Sequence, residues 1–252
     1  METQLIEPGR PVRLIVDPPA DGGWNMAVDE SLLGSAADGI TTLRFYQWRQ
    51  PTLSLGYFQS LADRNLHPAS RDCPVVRRSS GGGAIVHDRE LTYSFSCPVQ
   101  RLNTQWFYQE MHDCLQTALA HFKVPAELWQ EDQPSRQPDP FLCFQRRSPG
   151  DMVSGNVKIA GSAQRRRRGA LLQHGSVLLE TSCHAPELPS IASDREIPLQ
   201  FDELMEQYCL VLKKQWQIEF VPGTLDSVET SRASQIESEK FANIAWTKHR
   251  NR

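Results

Sequence analysis

The stretch Arg77-Arg78-Ser79-Ser80-Gly81-Gly82-Gly83-Ala84-Ile85-Val86-His87-Asp88 sets three consecutive glycines between two short apolar runs. Three glycines leave the backbone bare, so that a ligand can lie directly against main-chain amides. A glycine-rich hairpin without a ligand shows the same pattern. The double arginine before the glycines and the His-Asp pair after them favour the ligand interpretation, because both suit a polar or anionic group. The stretch is neither a P-loop, which needs Gly-Lys-Ser/Thr, nor a GxGxxG turn that opens a helix.

Strand and helix patterns surround this stretch. Apolar runs bounded by turn residues predict strands at Val12–Val16, Thr42–Trp48, Thr52–Tyr57, Pro74–Arg78, Leu91–Cys97, Val153–Gln164 and Gly169–Glu180. Apolar residues at helical spacing predict helices at Trp24–Ala37, Thr104–Lys123, Phe201–Trp216 and Asp226–Phe241. The segments Glu131–Pro140 and Ser182–Pro198 predict loops. Because the elements interleave without strict βαβ alternation, we expect an α/β (α+β) fold with a mixed, largely antiparallel sheet flanked by helices.

Composition bounds the class of protein. The chain has 252 residues, 23% of them charged, a formal net charge of −3 and no visible linker, so we expect one domain over residues 1–252. Its core should span about residues 24–180, with C-terminal helices at about 200–242. No run approaches the ~18 apolar residues that cross a membrane, and residues 1–10 lack the apolar core of a signal peptide. We therefore expect a cytoplasmic protein that does not bind membranes.

The six cysteines show no C-x-x-C pair and no metal-ligand spacing, which predicts no metal site. The only dense basic run, Arg165–Arg168, is isolated on a slightly negative chain, so nucleic-acid binding is not indicated. The run predicts either a solvated turn between two strands or an anchor for an acidic partner.

Two further stretches contain candidate reactive residues. Lys158-Ile159-Ala160-Gly161-Ser162-Ala163-Gln164 precedes the arginines, and Phe141-Leu142-Cys143-Phe144 lies 15 residues before Lys158. The apolar neighbours of Cys143 indicate a buried, inert thiol. Arg146, Arg147 and an approach of Lys158 would instead lower its pKa and produce a thiolate. Spacing alone leaves both interpretations open.

Together these segments resemble the lipoate-protein ligase A/B and biotin ligase superfamily, over about residues 24–179. Arg77–Asp88 resembles its R-R-x-S/T-G-G-G-A-x-x-H-D stretch, Lys158–Ala163 is similar to its K-I-x-G-S-A element, and Leu172–Leu179 to its Q-H-G-S-x-L-L strand. The resemblance implies the biotin/lipoate protein ligase catalytic-domain fold, a mixed sheet with helices packed on it. That fold agrees with the strands predicted above.

The superfamily contains two chemistries. ATP-dependent ligases adenylate a free acid, whereas carrier-dependent transferases take octanoate from a thioester, and the LipM class does so through a cysteine. In that class a C-F element lies shortly before K-I-x-G-S-A-Q, which Cys143-Phe144 and Gln164 match. Many ligases have Asn-Asp where this chain has Gly150-Asp151, so Asp151 keeps the ligase alternative open. The roughly seventy residues after Leu179 are short for the accessory domain of bacterial ligases.

The resemblance therefore implies an octanoyltransferase of protein lipoylation. It would move an octanoyl group from octanoyl-acyl carrier protein to a lysine of a lipoyl domain, the glycine cleavage H protein or a dehydrogenase E2. The phosphopantetheine of the carrier would deliver the substrate without a cofactor. ATP and magnesium would be needed only by a ligase. Further alternatives are an amidotransferase between lipoyl domains and a non-enzymatic module that binds lipoyl domains or carriers.

The resemblance also assigns roles to residues. Cys143 and Lys158 are implied to be catalytic, and the implied substrate-binding residues are Arg78, Ser80, Gly81, Gly82, Gly83, His87, Gly161, Ser162 and Ala163. Neighbouring strand residues face opposite sides, so only one of Arg77 and Arg78 can enter a cleft, and we prefer Arg78. His87 either moves a proton or orients a group, or else holds the loop through a hydrogen bond.

An apolar pocket for the acyl tail is expected from strand residues. The candidates are Leu53, Leu55, Ile85 and Ile159. Burial of eight methylenes at ~0.8 kcal/mol each gives about 6 kcal/mol of transfer energy, enough to select a medium chain over a short one.

Overall fold

The structure is a computed structural model that describes residues 9–99, 104–131, 140–194 and 198–250. In these ranges eleven strands form two sheets. The strands are β1 Pro11–Val16, β2 Thr42–Tyr46, β3 Thr52–Leu55, β4 Val75–Arg77, β5 Ile85–His87, β6 Glu90–Pro98, β7 Glu127–Leu128, β8 Met152–Ser154, β9 Val157–Arg167, β10 Ala170–Leu178 and β11 Glu219–Pro222. The predicted loop at Glu131–Pro140 lies almost wholly outside the described residues.

The large sheet has eight strands in the order β11-β1-β2-β6-β10-β9-β8-β7. Only β1 pairs in parallel, with β11 and with β2, and the remaining neighbours are antiparallel. A small sheet, β4-β3-β5, pairs β3 in parallel with β4 and antiparallel with β5. The predicted mixed, largely antiparallel sheet is confirmed.

Helices cover both faces of the large sheet. They are α1 Gly22–Ala37, α2 Thr104–His121, α3 Phe201–Trp216, α4 Ser227–Ile236 and α5 Ile244–His249, with a π turn at Glu237–Phe241 between the last two. Successive residues of β10 show the two faces: Leu171 packs into the core under α2 and α3, while Leu172 packs against Leu33 and Ala36 of α1. This alternation follows from the two-residue period of a strand.

Two predicted boundaries were wrong near the site. The strand predicted at Val153–Gln164 is a hairpin, because Gly155 has a φ of +55° and turns the chain between β8 and β9. Arg165–Arg167 extend β9 instead of forming a turn, and the turn consists of Arg168 and Gly169, both with positive φ. The short strands β5, β7 and β11 and the helix α5 had no prediction of their own.

Candidate active site

A cavity of about 290 Å³ opens between the two sheets. The glycine loop and β5 line one side, and β9 and β10 line the other. Met26 of α1 and Tyr108 of α2 contribute from the helices. Of the predicted site residues, those that line the cavity are Arg78, Gly81, Gly82, His87, Cys143, Lys158, Gly161, Ser162 and Ala163.

Cys143, Lys158 and Asp151 meet at this cavity. Lys158 Nζ lies 3.8 Å from Cys143 Sγ and donates to Asp151 Oδ2 at 2.7 Å. Both members of the Lys158–Asp151 ion pair are almost fully buried. Their position follows from the β8–β9 hairpin, which pairs Val153 with Lys158 and so brings Asp151 alongside. The ammonium therefore lies between a carboxylate and a sulfur.

Opposing effects set the pKa of Cys143. Burial raises the pKa of this thiol, but the positive charges of Lys158 and then Arg78 lower it by more, and the net pKa lies below the ordinary value of 9.0. Burial without such cations raises the pKa of Cys97 and of Cys209 to about 12. A lowered pKa increases the fraction of Cys143 that is a thiolate at neutral pH. The thiolate is the nucleophilic form of cysteine.

Backbone hydrogen bonds fix Cys143 against the glycine loop. The Cys143 N–H donates to Ala84 O at 2.7 Å, and the Ala84 N–H donates to Phe141 O at 2.9 Å. A Cβ on Gly83 would lie 3.0 Å from both the N and the Cα of Cys143, so a side chain there would force the cysteine outward. Gly82 has a φ of +96°, a conformation that favours glycine.

The two arginines before the glycines face different surroundings. Arg78 lines the cavity, and its guanidinium donates to Ser54 O, Ser54 Oγ, Gly81 O and Gly83 O. Its pKa falls to about 10, chiefly because burial disfavours the charge, and no carboxylate among the described residues lies within salt-bridge distance. Arg77 points away from the cavity, where it makes five hydrogen bonds to carbonyl oxygens. The geometry agrees with the preference for Arg78.

His87 is held at both ring nitrogens. Nε2 lies 2.6 Å from Ser54 Oγ, Nδ1 lies 2.7 Å from Glu90 Oε1, and the ring stacks on Trp48 with centroids 3.9 Å apart. These bonds favour the interpretation that His87 holds the loop. Ser80 does not line the cavity, since its hydroxyl lies 2.7 Å from Nε2 of His174, which does. Gly83 does not line the cavity either.

The β9 residues after Lys158 have distinct surroundings. A Cβ on Gly161 would lie 2.8 Å from Lys158 Cε and 3.1 Å from its Nζ. The absence of a side chain at Gly161 therefore leaves room for the Lys158 side chain. Ser162 Oγ lies 2.6 Å from His112 Nε2 and 2.7 Å from the Tyr93 hydroxyl. Burial lowers the pKa of His112 to about 4, and its Nδ1 lies 2.6 Å from Gly150 O. The Ser162 hydroxyl is thus held by the side chains of His112 and Tyr93.

Gly150 accounts for the departure from the ligase Asn-Asp pair. Its φ is +90°, and a Cβ there would lie 2.7 Å from a ring carbon of Tyr108. An asparagine at this position would therefore be strained and crowded while Tyr108 keeps its place.

The predicted apolar pocket was mostly wrong. Ile85 lines the cavity, but Leu53 and Leu55 lie in the core beneath the small sheet, and Ile159 lies in the main core. The reason is strand alternation, since Lys158 and Ile159 face opposite sides. The residues that form the inner wall instead are Met26, Tyr46, Thr92, His174, Gly175 and Ser176.

Alternate arginines of the basic run support the glycine loop. Arg165 donates to Ser79 O at 2.7 Å, and Arg167 donates to Glu30 Oε1 at 3.1 Å. Glu30 also accepts from the buried Lys240, whose ammonium donates to Ser79 Oγ at 2.7 Å. The solvated-turn interpretation was therefore wrong for Arg165 and Arg167. An acidic partner for this surface stays a prediction.

A sequence profile of the lipoyl protein ligase A/B catalytic domain matches residues 21–196. The chain belongs to this family. A Moorella thermoacetica relative, Octanoyltransferase LipM, is 31% identical over an alignment of 273 positions that spans 96% of this chain and 100% of that protein. Octanoyltransferase LipM of Halalkalibacterium halodurans is 30% identical, over 90% of this chain and 94% of the relative.

Solved structures agree with the family assignment. A bi-partite lipoate protein ligase of Thermoplasma acidophilum superposes with a TM-score of 0.77 at 19% identity, over 96% of this chain and 98% of that one. Lipoate-protein ligase A bound with ATP gives a TM-score of 0.77 at 21% identity, over 96% and 98% of the two chains. At such identities these structures show the shared lipoyl protein ligase A/B fold alone.

The family match confirms the superfamily resemblance, and the relatives confirm that this lipoyl protein ligase A/B member is an acyltransferase. Within the described ranges no cluster of three histidine, cysteine or carboxylate side chains could hold a metal ion. None of the helices in those ranges is both long enough and apolar enough to cross a membrane.

Proposed function

We propose that this enzyme transfers an octanoyl group from octanoyl-acyl carrier protein to a lysine of a lipoyl domain, through a thioester on Cys143. The relatives named Octanoyltransferase LipM support octanoyl transfer. The observation that carries the cysteine mechanism is the 3.8 Å contact between Lys158 Nζ and Cys143 Sγ at the cavity. The glycine cleavage H protein is the proposed acceptor, and a dehydrogenase E2 lipoyl domain is the other candidate. The proposed setting is cytoplasmic.

In the first half-reaction the Cys143 thiolate attacks the thioester carbonyl. The bond from the acyl carbon to the phosphopantetheine sulfur breaks, and that sulfur leaves as a thiolate that takes a proton from solvent. Lys158 and Arg78 stabilise the attacking thiolate. The negative charge on the carbonyl oxygen lies near these cations and the bare amides of Gly81 and Gly82.

In the second half-reaction the acceptor lysine attacks the acyl group on Cys143. The C–N bond forms as the C–S bond breaks, the lysine nitrogen releases two protons that end in solvent, and the Cys143 thiolate returns to its place beside Lys158. Exchange between two thioesters is nearly balanced in free energy, whereas formation of the amide is downhill. The sequence of steps therefore needs neither ATP nor a cofactor.

The test is intact-mass spectrometry after mixing the protein with octanoyl-acyl carrier protein without ATP. We expect a mass increase of one octanoyl group, localised to Cys143 by peptide mapping, and its disappearance when a lipoyl domain is added. Cys143→Ala should abolish the adduct. Cys183→Ala, which removes an exposed cysteine, is the matched control and should keep it. A Cys143→Ala protein that still forms the adduct and transfers would overturn the proposal.

The same assay separates the ligase alternative. An ATP-dependent ligase would release pyrophosphate from ATP with free octanoate or lipoate and would modify the acceptor without a carrier. Release of pyrophosphate without a cysteine adduct would contradict the transferase mechanism and support the ligase mechanism. An octanoylated H protein used as donor tests the amidotransferase alternative in the same way.

A further inference from the structure

Asp151 stands out among the residues that line the cavity. It is the only carboxylate that the described wall contains. One of its oxygens, Oδ2, accepts from Lys158 Nζ at 2.7 Å and from the Ser148 N–H at 2.7 Å. The other oxygen, Oδ1, lies over Gly161, 3.2 Å from the position that a Cβ would take there. The carboxylate thus lies against bare backbone, next to the reactive sulfur.

The charge of the site changes when Cys143 becomes acylated. Before acylation the thiolate and Asp151 balance Lys158 and Arg78, so that these four charges sum to zero. A thioester carries no charge, so that the acyl-enzyme keeps two cations and one anion.

This excess of positive charge opposes the second substrate. A lysine is an ammonium ion at neutral pH and must lose a proton before its nitrogen can attack. Lys158 and Arg78 repel an ammonium, and only Asp151 attracts it. The other basic groups on the wall are poor acceptors of its proton: both His87 nitrogens are hydrogen-bonded, and burial lowers the pKa of His174 to about 4.

We propose that Asp151 binds the ammonium of the acceptor lysine and takes its proton during transfer from acyl-Cys143. The role rests on the proposed acyl transfer. One proton passes from the lysine nitrogen to the Asp151 carboxylate before attack and goes on to solvent. The second leaves the nitrogen by the same route as the C–N bond forms and the C–S bond breaks, with the electron pair returning to Sγ. Asp151 thereby defines the amine side of the cavity.

A purely structural role makes a different prediction. If Asp151 only orients Lys158, its loss should slow every reaction at Cys143 alike. If it takes the proton of the acceptor, its loss should slow only attack by an amine that arrives charged. Asp151 also raises the pKa of the Cys143 thiol, so that its neutralisation leaves the thiolate more populated.

The experiment isolates the octanoyl-enzyme of wild type and of Asp151→Asn and measures each half-reaction in single turnover. We expect Asp151→Asn to keep most of its rate of acylation, and to lose about 10²-fold or more in transfer to a lipoyl domain at pH 7. The deficit should shrink as pH rises and solvent deprotonates the lysine. Hydroxylamine, which is already neutral at pH 7, should cleave both acyl-enzymes at similar rates. Asp113→Asn on the exposed side of α2 is the matched control and should behave as wild type.

Two outcomes would overturn the role of Asp151 alone: normal transfer to the lipoyl domain by Asp151→Asn, or an equal slowing with hydroxylamine. A wild-type protein that forms no acyl-Cys143 would instead overturn the proposed function and this role together. If Asp151→Asn fails to fold or to acylate, the wild-type acyl-enzyme serves. Removal of the proton by solvent hydroxide alone would make its transfer to lysine fall by about tenfold per pH unit from pH 8 to pH 6. With Asp151 as the proton acceptor the fall should be clearly shallower, and a fall of about tenfold per unit would overturn the role. The charged and titratable groups that interact with Asp151 are Lys158, Cys143, Tyr108 and His112, and Arg146 lines the same cavity.

Discussion

Cys143 lies where burial and positive charge act on its pKa in opposite directions. Burial alone would raise the pKa of the thiol, as it does for Cys97, and the cations Lys158 and Arg78 reverse the outcome. The charge of Lys158 acts on the sulfur over 3.8 Å in a partly buried site, where electrostatic interactions are stronger than in water. The reactivity of the sulfur therefore depends on a neighbour that forms no bond to substrate carbon.

Lys158→Met should raise the pKa of Cys143, because burial would no longer be offset by Lys158, which lowers this pKa the most of its three cations. The pH midpoint of alkylation by iodoacetamide, followed on the Cys143 peptide, measures the change. Octanoyl transfer at pH 7 should fall by about 10²-fold or more. Lys158→Arg, which keeps the charge, should retain a lowered midpoint. An unchanged midpoint in Lys158→Met would show that Lys158 does not control the thiolate.

Gly161→Ala tests whether the position of the Lys158 side chain depends on the glycine beside it. The new Cβ would lie 2.8 Å from Lys158 Cε, closer than real contacts allow, so the ammonium should leave Cys143. We expect a loss of activity of about 10-fold or more, and a cost in the free energy of unfolding of 1–3 kcal/mol, on the order seen for overpacking. Denaturant unfolding and single-turnover acylation measure the two effects. Full activity in a folded Gly161→Ala protein would contradict the packing argument.

The predicted site residues that lie in dense motifs come together in the fold. Arg78, Gly82, Lys158 and Gly161 line one cavity, because strand alternation and glycine placement are local properties, and their roles stay predictions. The inner wall was not predicted. Met26 and Tyr46 come from α1 and β2, and nothing in their local patterns distinguishes a cavity residue from a core residue. Only the packing of one element on another decides that.

At the scale of elements, α5 hydrogen-bonds to Arg77, which comes just before the glycine loop and faces away from the cavity. Arg77 Nε and Nη2 donate to Thr247 O, and the indole N–H of Trp246 donates to Arg77 O at 3.0 Å. Arg77 Nη1 meanwhile holds the carbonyls of Gly56, Tyr57 and Gln59, next to the glycine loop. This buried arginine joins β4, α5 and the loop after β3.

Arg77→Met should lower the free energy of unfolding by on the order of 3 kcal/mol, because several buried carbonyls would lose their donor. Urea denaturation followed by circular dichroism measures this loss. The matched control is Arg49→Met, which breaks an exposed ion pair with Asp21 and should cost less than 1 kcal/mol. Equal losses in the two variants would argue against the role given to Arg77.

Element types could be predicted better than element ends. The helices at Trp24–Ala37 and Phe201–Trp216 end where predicted, because turn residues and helical spacing mark them. The β8–β9 hairpin was missed because an apolar pattern with a two-residue period continues through Gly155. The arginine run was misassigned because Arg165 and Arg167 hydrogen-bond to Ser79 and Glu30, which are distant in sequence.

At the scale of the whole molecule, two buried histidines make stability depend on pH. Burial lowers the pKa of His112 and of His174 from 6.5 to about 4. Between these values the unfolded chain binds protons that the folded chain does not, so stability falls as pH falls through this window. From pH 7 to pH 5 each histidine should cost about 2 kcal/mol. Glu30 and Glu229, whose pKa values lie below the ordinary 4.5, change little in this range.

Urea unfolding at pH 7 and pH 5 measures this decrease. His112→Asn should be less stable at pH 7, since the hydrogen bonds to Ser162 and Gly150 change, but should lose only about half as much stability on acidification. The difference between the two pH values is the readout, because it does not depend on the absolute stability of the variant. If His112→Asn lost as much stability between pH 7 and pH 5 as the wild type, His112 would not be a cause of the pH dependence.

The link between Arg77 and Thr247 also has a consequence for synthesis. A ribosome makes β1, α1 and the glycine loop early, yet β1 pairs with β11 and Arg77 bonds to the carbonyl of Thr247. Domains generally fold as units, so these contacts wait until the C-terminal elements have emerged. The nascent chain therefore exposes the Cys143 thiol while the loop beside it still lacks its rear support. The cavity around Cys143 gains this support only after Thr247 has left the exit tunnel, so products truncated before Thr247 should be poorly folded.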